Sequence, residues 1–422
     1  MGTNNINLLY PSGMFGTRLL GGKDAASPRY IFTRLAQVTR ALFPEHDDAL
    51  LEQQVEDGDA IEPKTYVPII PLILCNGADG IGTGYSTFVP QHNPADVIAC
   101  IRAMLANVDI PPIKPWYRGF TGEVEVTEGG FETHGTYEWD GRKLTITELP
   151  LNKWTSPYKE FLDTVLRNQQ LKGKKKQTVV EEALVRSFEE HHSDTTVKFV
   201  VSLTDAGKAY MDGDVGTVRR VFRLSSKHST RNMMAFNARG MLVRYDDVPS
   251  ILREFYTTRM ELYGKRREAL LAADRADLEL QAAKRRFILL VIEGDLVIAR
   301  RPKAELEEDL ASRDFVRVNG AYDHLLGMKL WSLTAEKVAE LESSIADLEA
   351  SIASMEGKTP ADLWREDLDV LEEKLEAAQK EFEELATGEG AGQEAKPKKR
   401  RRVKKKTRAV KKTKASAASV EH

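Results

Sequence analysis

An arginine followed directly by a tyrosine, Arg29-Tyr30, is the pair in this 422-residue chain best suited to chemistry. A phenol has an ordinary pKa of about 10 and is a weak nucleophile at neutral pH, but a neighbouring cation stabilises the phenolate. Such a tyrosine could attack a phosphate, and the guanidinium could brace the oxygens on which charge develops. The surrounding pattern predicts a helix start. Ser27 suits the N-cap, Pro28 suits the first helical position, and Ile31, Leu35, Val38 and Leu42 recur at steps of 4, 3 and 4 on one apolar face. Tyr30 would then sit where unpaired N–H groups and the positive helix end favour an anion. On these residues alone, however, a surface cation beside a half-buried ring is the weightier reading.

The glycine-rich run Gly80-Ile81-Gly82-Thr83-Gly84 is the next candidate. It fails as a dinucleotide-binding fingerprint, because its third glycine would fall at Tyr85 and no amphipathic helix fits before Pro90. Glycines on both sides of Ile81 instead let the backbone approach a nucleic acid closely and leave one stiff apolar wedge, the kind of side chain that opens base steps. A buried turn isoleucine is the alternative. Arg223, Lys227, His228 and Arg231 lie among serines and threonines, a composition suited to phosphate contact rather than base reading. His191, His192 and Asp194 do not read as a metal site, since adjacent histidines diverge and a fourth ligand is lacking nearby. The sequence contains neither a run of closely spaced acids like a two-metal phosphoryl-transfer site nor a Walker-type loop for ATP.

The formal charge of −3 conceals an asymmetry. Thirteen of the 61 Lys and Arg fall in residues 396–414, so residues 1–394 hold 48 basic against 63 acidic side chains, a net of −15, with Glu421 the remaining acid. A groove for an anionic polymer in this acidic body must be a local positive stripe, for which Arg18, Lys23 and Arg29 are candidates. The run Lys398 to Lys406 reads as a nuclear-localisation signal that can also hold phosphates, with a solubilising tail as the alternative. No apolar run is long enough for a membrane span, and the N-terminus lacks the order of a signal peptide. Cys75 and Cys100 fit buried thiols in a reducing compartment.

The elements divide the chain into an α+β multidomain arrangement. Residues 1–88 read as a compact α/β piece, and residues 89–247 as an α+β domain with strands at Gly122–Val126, Lys143–Thr147 and Val197–Ser202. Residues 248–386 read as charged helices. There Leu341, Ile345, Leu348, Ile352 and Met355 form a heptad seam, which Trp364, Leu368, Leu371 and Leu375 resume after a restart at Thr359-Pro360. Two long helices around a short globular stretch, Tyr322 to Leu333, can fold back as an antiparallel hairpin. The stretch is apolar enough, through Leu325, Leu326, Met328, Leu330 and Trp331, to suggest a contact with a second copy. Residues 387–422 read as a glycine-rich linker and the disordered basic tail.

Several blocks carry a family resemblance in order: Asn4 to Leu9, Gly13-Met14-Phe15-Gly16-Thr17-Arg18, Gly21-Gly22-Lys23-Asp24 and Pro28-Arg29-Tyr30. They continue in Pro68 to Pro71, Asn76 to Gly84, Glu148-Leu149-Pro150 before Trp154-Thr155, Asp194 to Phe199, and Leu325 to Thr334. The chain resembles the cleavage region of eukaryotic-type DNA topoisomerase II from its first residues to about residue 386. The resemblance implies a partial winged-helix domain, a tower domain and a long coiled-coil stalk whose helical tip, the C-gate, meets its twin in a homodimer.

It further implies that Tyr30 is the nucleophile, that Arg29 stabilises charge on the phosphate, and that Ile81 enters bent double-stranded DNA. Trp154 matches a tryptophan that contacts DNA, with a core tryptophan as the alternative; Asn7 matches a polar contact, and Arg223 to Asn232 a DNA-facing segment. Met14 stands where the family usually has glutamine, which removes one polar group near the DNA. Mg²⁺ and ATP are implied by the resemblance and would be bound by domains that precede the first residues here, with Mg²⁺ helping to expel the leaving oxygen. The chain is expected to be either a C-terminal portion or one subunit of a split enzyme, and to be incomplete alone. A non-catalytic remnant that binds DNA and pairs with the full enzyme is the competing expectation. An upstream reading frame would distinguish them.

Overall fold

The computed structural model describes residues 4–11, 13–166, 184–211, 213–329 and 334–387. The chain divides into two units, 1–378 and 379–422. Of the second, only the end of the helix Pro360–Thr387 is described, where the Gln379 amide donates to Glu383. The basic tail lies outside the described residues, as do Leu330 and Trp331.

The largest core joins distant parts of the chain. The helix Pro94–Leu105 is capped by the Asn93 side chain, which accepts from the Ala95 N–H, and has proline at its first position. Its Val97, Ile98, Ile101 and Leu105 are buried at helical spacing against Leu42, Ile69, Ile70 and Leu74. The hairpin Met233–Phe236/Leu242–Tyr245, the start of the long helix Val248–Glu293, and Leu363, Trp364, Leu368 and Leu371 complete this base core. Core membership thus departs from the divisions at residues 88 and 247, because burial is decided by packing partners rather than chain order. The resumed heptad at Trp364 to Leu371 likewise closes the base instead of extending the hairpin.

Trp364 is fully buried, donates from its indole N–H to the Ile69 carbonyl at 3.0 Å, and is stacked by Tyr256 and Tyr263 at centroid distances of 5.2 and 5.4 Å. Beside it Arg259 pairs with Asp47 at 2.7 Å, and Arg266 and the Tyr263 hydroxyl both reach Asp367.

Residues 123–229 form two antiparallel sheets. One has the order Tyr137–Trp139, Lys143–Ile146, Phe199–Leu203, Val185–Glu190, with Phe199 opposite both Ile146 and Glu190. Its inward Leu144, Ile146, Phe199 and Val201 pack with Tyr158 and Leu162 of the helix Thr155–Leu166. The other has the order Ser225–Ser229, Gly130–His134, Glu123–Thr127. All three strands expected from the sequence are present.

The helix Val248–Glu293 begins at an Asp247 cap, ends at Gly294 in the left-handed region (φ 86°), and at 46 residues runs for about 69 Å. The helix Ala335–Gly357 returns along it, as the pairs Arg285–Glu342 and Arg275–Glu356 show. Leu341, Ile345 and Ile352 of the predicted seam are buried between the two. At the far end Phe287, Ile288, Leu296, Leu310, Phe315, Tyr322 and Leu325 form a separate small core. Leu326 and Met328 are half-buried against it, so much of the tip's apolar character serves its own packing.

Candidate nucleic-acid interface and its tyrosine

Tyr30 lies on a loop, which corrects the predicted helix. Only Pro28–Tyr30 form a single 3-10 turn, and Ser27 makes no side-chain cap. Residues 33–36 are extended and pair with 8–10: the Tyr10 N–H donates to the Arg34 carbonyl, the Ala36 N–H to the Leu8 carbonyl, and the Thr33 hydroxyl to the Tyr10 carbonyl. Helix begins only at Gln37, so Val38 and Leu42 enter the core while Leu35 stays exposed. The pairing satisfies backbone groups that a helix would otherwise have satisfied. Tyr30 is therefore not at the start of a long helix, and helix polarity does not act on it. The ring is 68% exposed, Phe32 is 91% exposed, and the Arg29 guanidinium lies 5.1 Å from the Tyr30 ring centroid.

The expectation that Arg18 contributes to an exposed positive stripe is also corrected. Arg18 is buried, its Nη2 2.5 Å from Glu148 Oε1, and both side chains are almost wholly covered. Burial pulls the guanidinium below its ordinary value while the Glu148 charge opposes the shift. Glu148 also accepts from the Leu149 N–H at 2.8 Å and from Thr121. In the sequence Glu148 stands out only as part of a motif; its pairing across 130 positions has no local signal. Lys23 is exposed on the following turn. Trp154 is half-buried and lies against that turn: a Cβ on Gly21, whose φ is +62°, would fall 2.1 Å from the indole. Arg18 sits 5.9 Å from the same ring. Asn7 is half-buried, next to Ile6, whose backbone is clamped by the Asn76 side chain through bonds of 2.8 and 3.1 Å.

Ile81 is 92% exposed at the end of the hairpin Ala78–Ile81/Ser86–Val89, which rules out the buried-turn alternative. The hairpin is fastened from behind. Thr87 and Met234 exchange hydrogen bonds of 2.7 and 3.1 Å, the Asn232 amide donates to Ser86, and the Phe88 N–H donates to the Asn232 carbonyl. His228 is stacked between Phe88 and Phe131 at 5.8 and 4.9 Å, and burial pulls its imidazole below the ordinary value. Its neighbour Lys227 is exposed and 3.6 Å from Glu132, while Arg231 is exposed against the Gly129 turn. Arg223 is half-buried with its guanidinium over Phe161 at 4.3 Å. The structure thus brings together Arg29 with Tyr30 and Arg18 with Trp154, and it ties the Lys227–Arg231 strand end to the Ile81 hairpin. Among the described residues no group of three or more His, Cys, Asp or Glu is placed to hold a metal ion.

An exposed tyrosine beside an arginine, an exposed isoleucine on a braced hairpin and a long helical pair thus occur together in one chain. The family model for the A subunit of DNA gyrase/topoisomerase IV matches residues 1–369, and the chain belongs to this family. Its sequence is similar to eukaryotic DNA topoisomerase 2. The Arabidopsis thaliana enzyme is 37% identical over 387 residues, covering 81% of this chain and 25% of the relative. The Pisum sativum enzyme is 42% identical over 318 residues, covering 75% and 21%. The human DNA topoisomerase 2-beta is 37% identical over 380 residues, covering 81% and 22%. The fold is similar to the DNA-binding, cleavage and re-ligation domain of Plasmodium falciparum topoisomerase II, with a TM-score of 0.80 and 34% identity over 92% of this chain and 54% of that one. The chain spans a quarter or less of the length of these curated relatives.

Proposed function

We propose that this chain is the DNA-cleavage and C-gate portion of an ATP-dependent type II DNA topoisomerase. Tyr30 attacks the phosphorus of a backbone phosphate in double-stranded DNA, the phosphotyrosyl bond forms as the bond to the leaving sugar oxygen breaks, and that freed hydroxyl later reverses the exchange. Each strand is thus cut without net hydrolysis, and a second duplex passes through the opening. Arg29 meets charge on the phosphate, and Ile81, braced by Thr87 and Asn232, enters and bends the duplex. The observation that carries this reading is the exposure of Tyr30 beside Arg29 on a chain of this family.

Mg²⁺ and ATP, which the family uses, are assigned in this reading to other parts of the enzyme, in cis or on a separate subunit. The helical pair is read as the coiled-coil stalk, with its tip as the homodimer contact, and the basic run at 398–406 is the ground for placing the protein in the nucleus. The test is Tyr30→Phe in the enzyme assembled with a metal-binding domain. Covalent protein–DNA complex should disappear from denaturing gels while DNA affinity stays within about threefold, because only the nucleophilic oxygen is lost. Undiminished covalent complex removes Tyr30 from the reaction.

A further inference from the structure

We infer that the buried Arg18–Glu148 pair is a positioning device for Tyr30, setting the tyrosine loop in a fixed orientation on the tower. The inference rests on the reading of Tyr30 as nucleophile. From residue 13 to residue 37 the only buried side chain is Arg18. A loop whose one buried side chain is half of an ion pair is held by direction rather than by apolar area.

The remaining ties of residues 18–21 reach the same patch of tower. The Arg18 N–H donates to the Asp194 carbonyl at 2.7 Å, the Ser156 N–H donates to the Leu19 carbonyl at 3.0 Å, and Gly21 lies under the Trp154 indole. The turn closes on itself through the Gly22 N–H to the Thr17 carbonyl and through Thr17 to Asp24, and the Ala26 N–H returns to Met14. Beyond Tyr30 the chain attaches elsewhere, since residues 33–36 pair with 8–10 against the base core. Tyr30 therefore spans two footings, one on the tower and one on the base. In this inference a shift of the patch around Glu148, Trp154 and Asp194 reaches Tyr30 through residues 18–21, among which only the Arg18 side chain is buried.

Chemistry explains why an ion pair serves here. Replacing a buried pair with apolar residues of similar volume is commonly neutral or stabilising for folding, so such a pair is weak as a stabiliser. It does fix geometry, because the guanidinium must meet a carboxylate already held by Leu149 and Thr121. Arg18 and Glu148 are thus positioning residues, distinct from the catalytic Tyr30.

The discriminating variant is the double substitution Arg18→Met/Glu148→Leu in the assembled enzyme. It should melt somewhat lower, because the Leu149 N–H and Thr121 lose their acceptor, but at a temperature where it is folded it should bind DNA within about threefold of the parent and form covalent complex at least about tenfold more slowly, since small misplacements of reacting groups are costly. Arg18→Lys, which keeps the charge without the fork, should fall between the two. If the double variant does not fold, Thr121→Val, which removes one hydrogen bond to Glu148, is read in its place and should slow cleavage by about twofold without loss of DNA affinity. Parental cleavage rates in the folded variant, or a cleavage loss that only tracks DNA affinity, overturn the positioning role. Tyr30→Phe separates the two ideas: a parent that cleaves through Tyr30 beside a double variant of equal rate sinks this inference alone.

Discussion

The Tyr30 loop and the Trp364 knot are opposite solutions to placing an aromatic side chain. Tyr30 stands in solvent on a stretch with one buried residue, and that residue is charged. Trp364 is fully enclosed by Tyr256, Tyr263 and Ile69, with the Arg259–Asp47 and Arg266–Asp367 pairs around it. In its proposed role Tyr30 meets a phosphate from outside and so cannot be buried, and its orientation has to come from a few directed contacts. A side chain that joins the beginning, middle and end of the chain gains from burial, where each square ångström of apolar area contributes. The loop should therefore govern reaction and leave stability alone, and the knot should do the reverse.

The largest expected separation is Tyr30→Phe, with covalent complex lost and thermal unfolding unchanged. A Tyr30→Phe chain that melts several degrees lower would make the loop part of the fold. On the other side, Trp364→Ala should cost about 3–5 kcal/mol of unfolding free energy, read from denaturant midpoints, through cavity formation and loss of the indole hydrogen bond. A cost below about 1 kcal/mol would mean that the base does not depend on this side chain.

A smaller effect tests the base by pH. Burial pulls the His92 imidazole down to about 4. An unfolded histidine titrates near 6.5, so between these values the unfolded chain holds the extra proton, and stability falls as pH drops from 6.5 toward 4. About 1 kcal/mol should be lost between pH 7 and 5.5 on this account, and His92→Gln should remove that share. A variant with the parental pH dependence would shift the cause to other groups. The smallest stability effect belongs to Ile81→Ala, within about 0.5 kcal/mol because the side chain is exposed. DNA bending, followed by energy transfer across a short duplex, should nevertheless fall. Unchanged bending would leave the hairpin tip without a wedge.

Periodicity reads the helical pair well: Leu341, Ile345 and Ile352 are buried where the heptad puts them. The strands at 123–127, 143–146 and 199–203 are legible from alternation and apolar runs. The same reasoning fails at residues 28–42, where an apolar period of 4, 3 and 4 spans both an extended segment and a short helix. The competing partner, residues 8–10, is distant in sequence, and nothing in a local window reports it. Arg18 shows the same limit. Its charge is legible, but not the carboxylate 130 positions away that turns a surface cation into a buried anchor.

The sequence alone was sufficient for family likeness, the order of blocks around Arg29-Tyr30 and Gly80-Ile81-Gly82, the seam of the helical pair and the concentration of basic charge in residues 396–414. These are properties of residue type and spacing along the chain. Tertiary structure decided that Tyr30 stands on a loop with two footings, that Trp364 closes the base rather than lengthening the hairpin, and that Arg18 faces Glu148 instead of solvent. Each depends on which distant groups meet, and desolvation gives a charge its role only once its neighbours are in place.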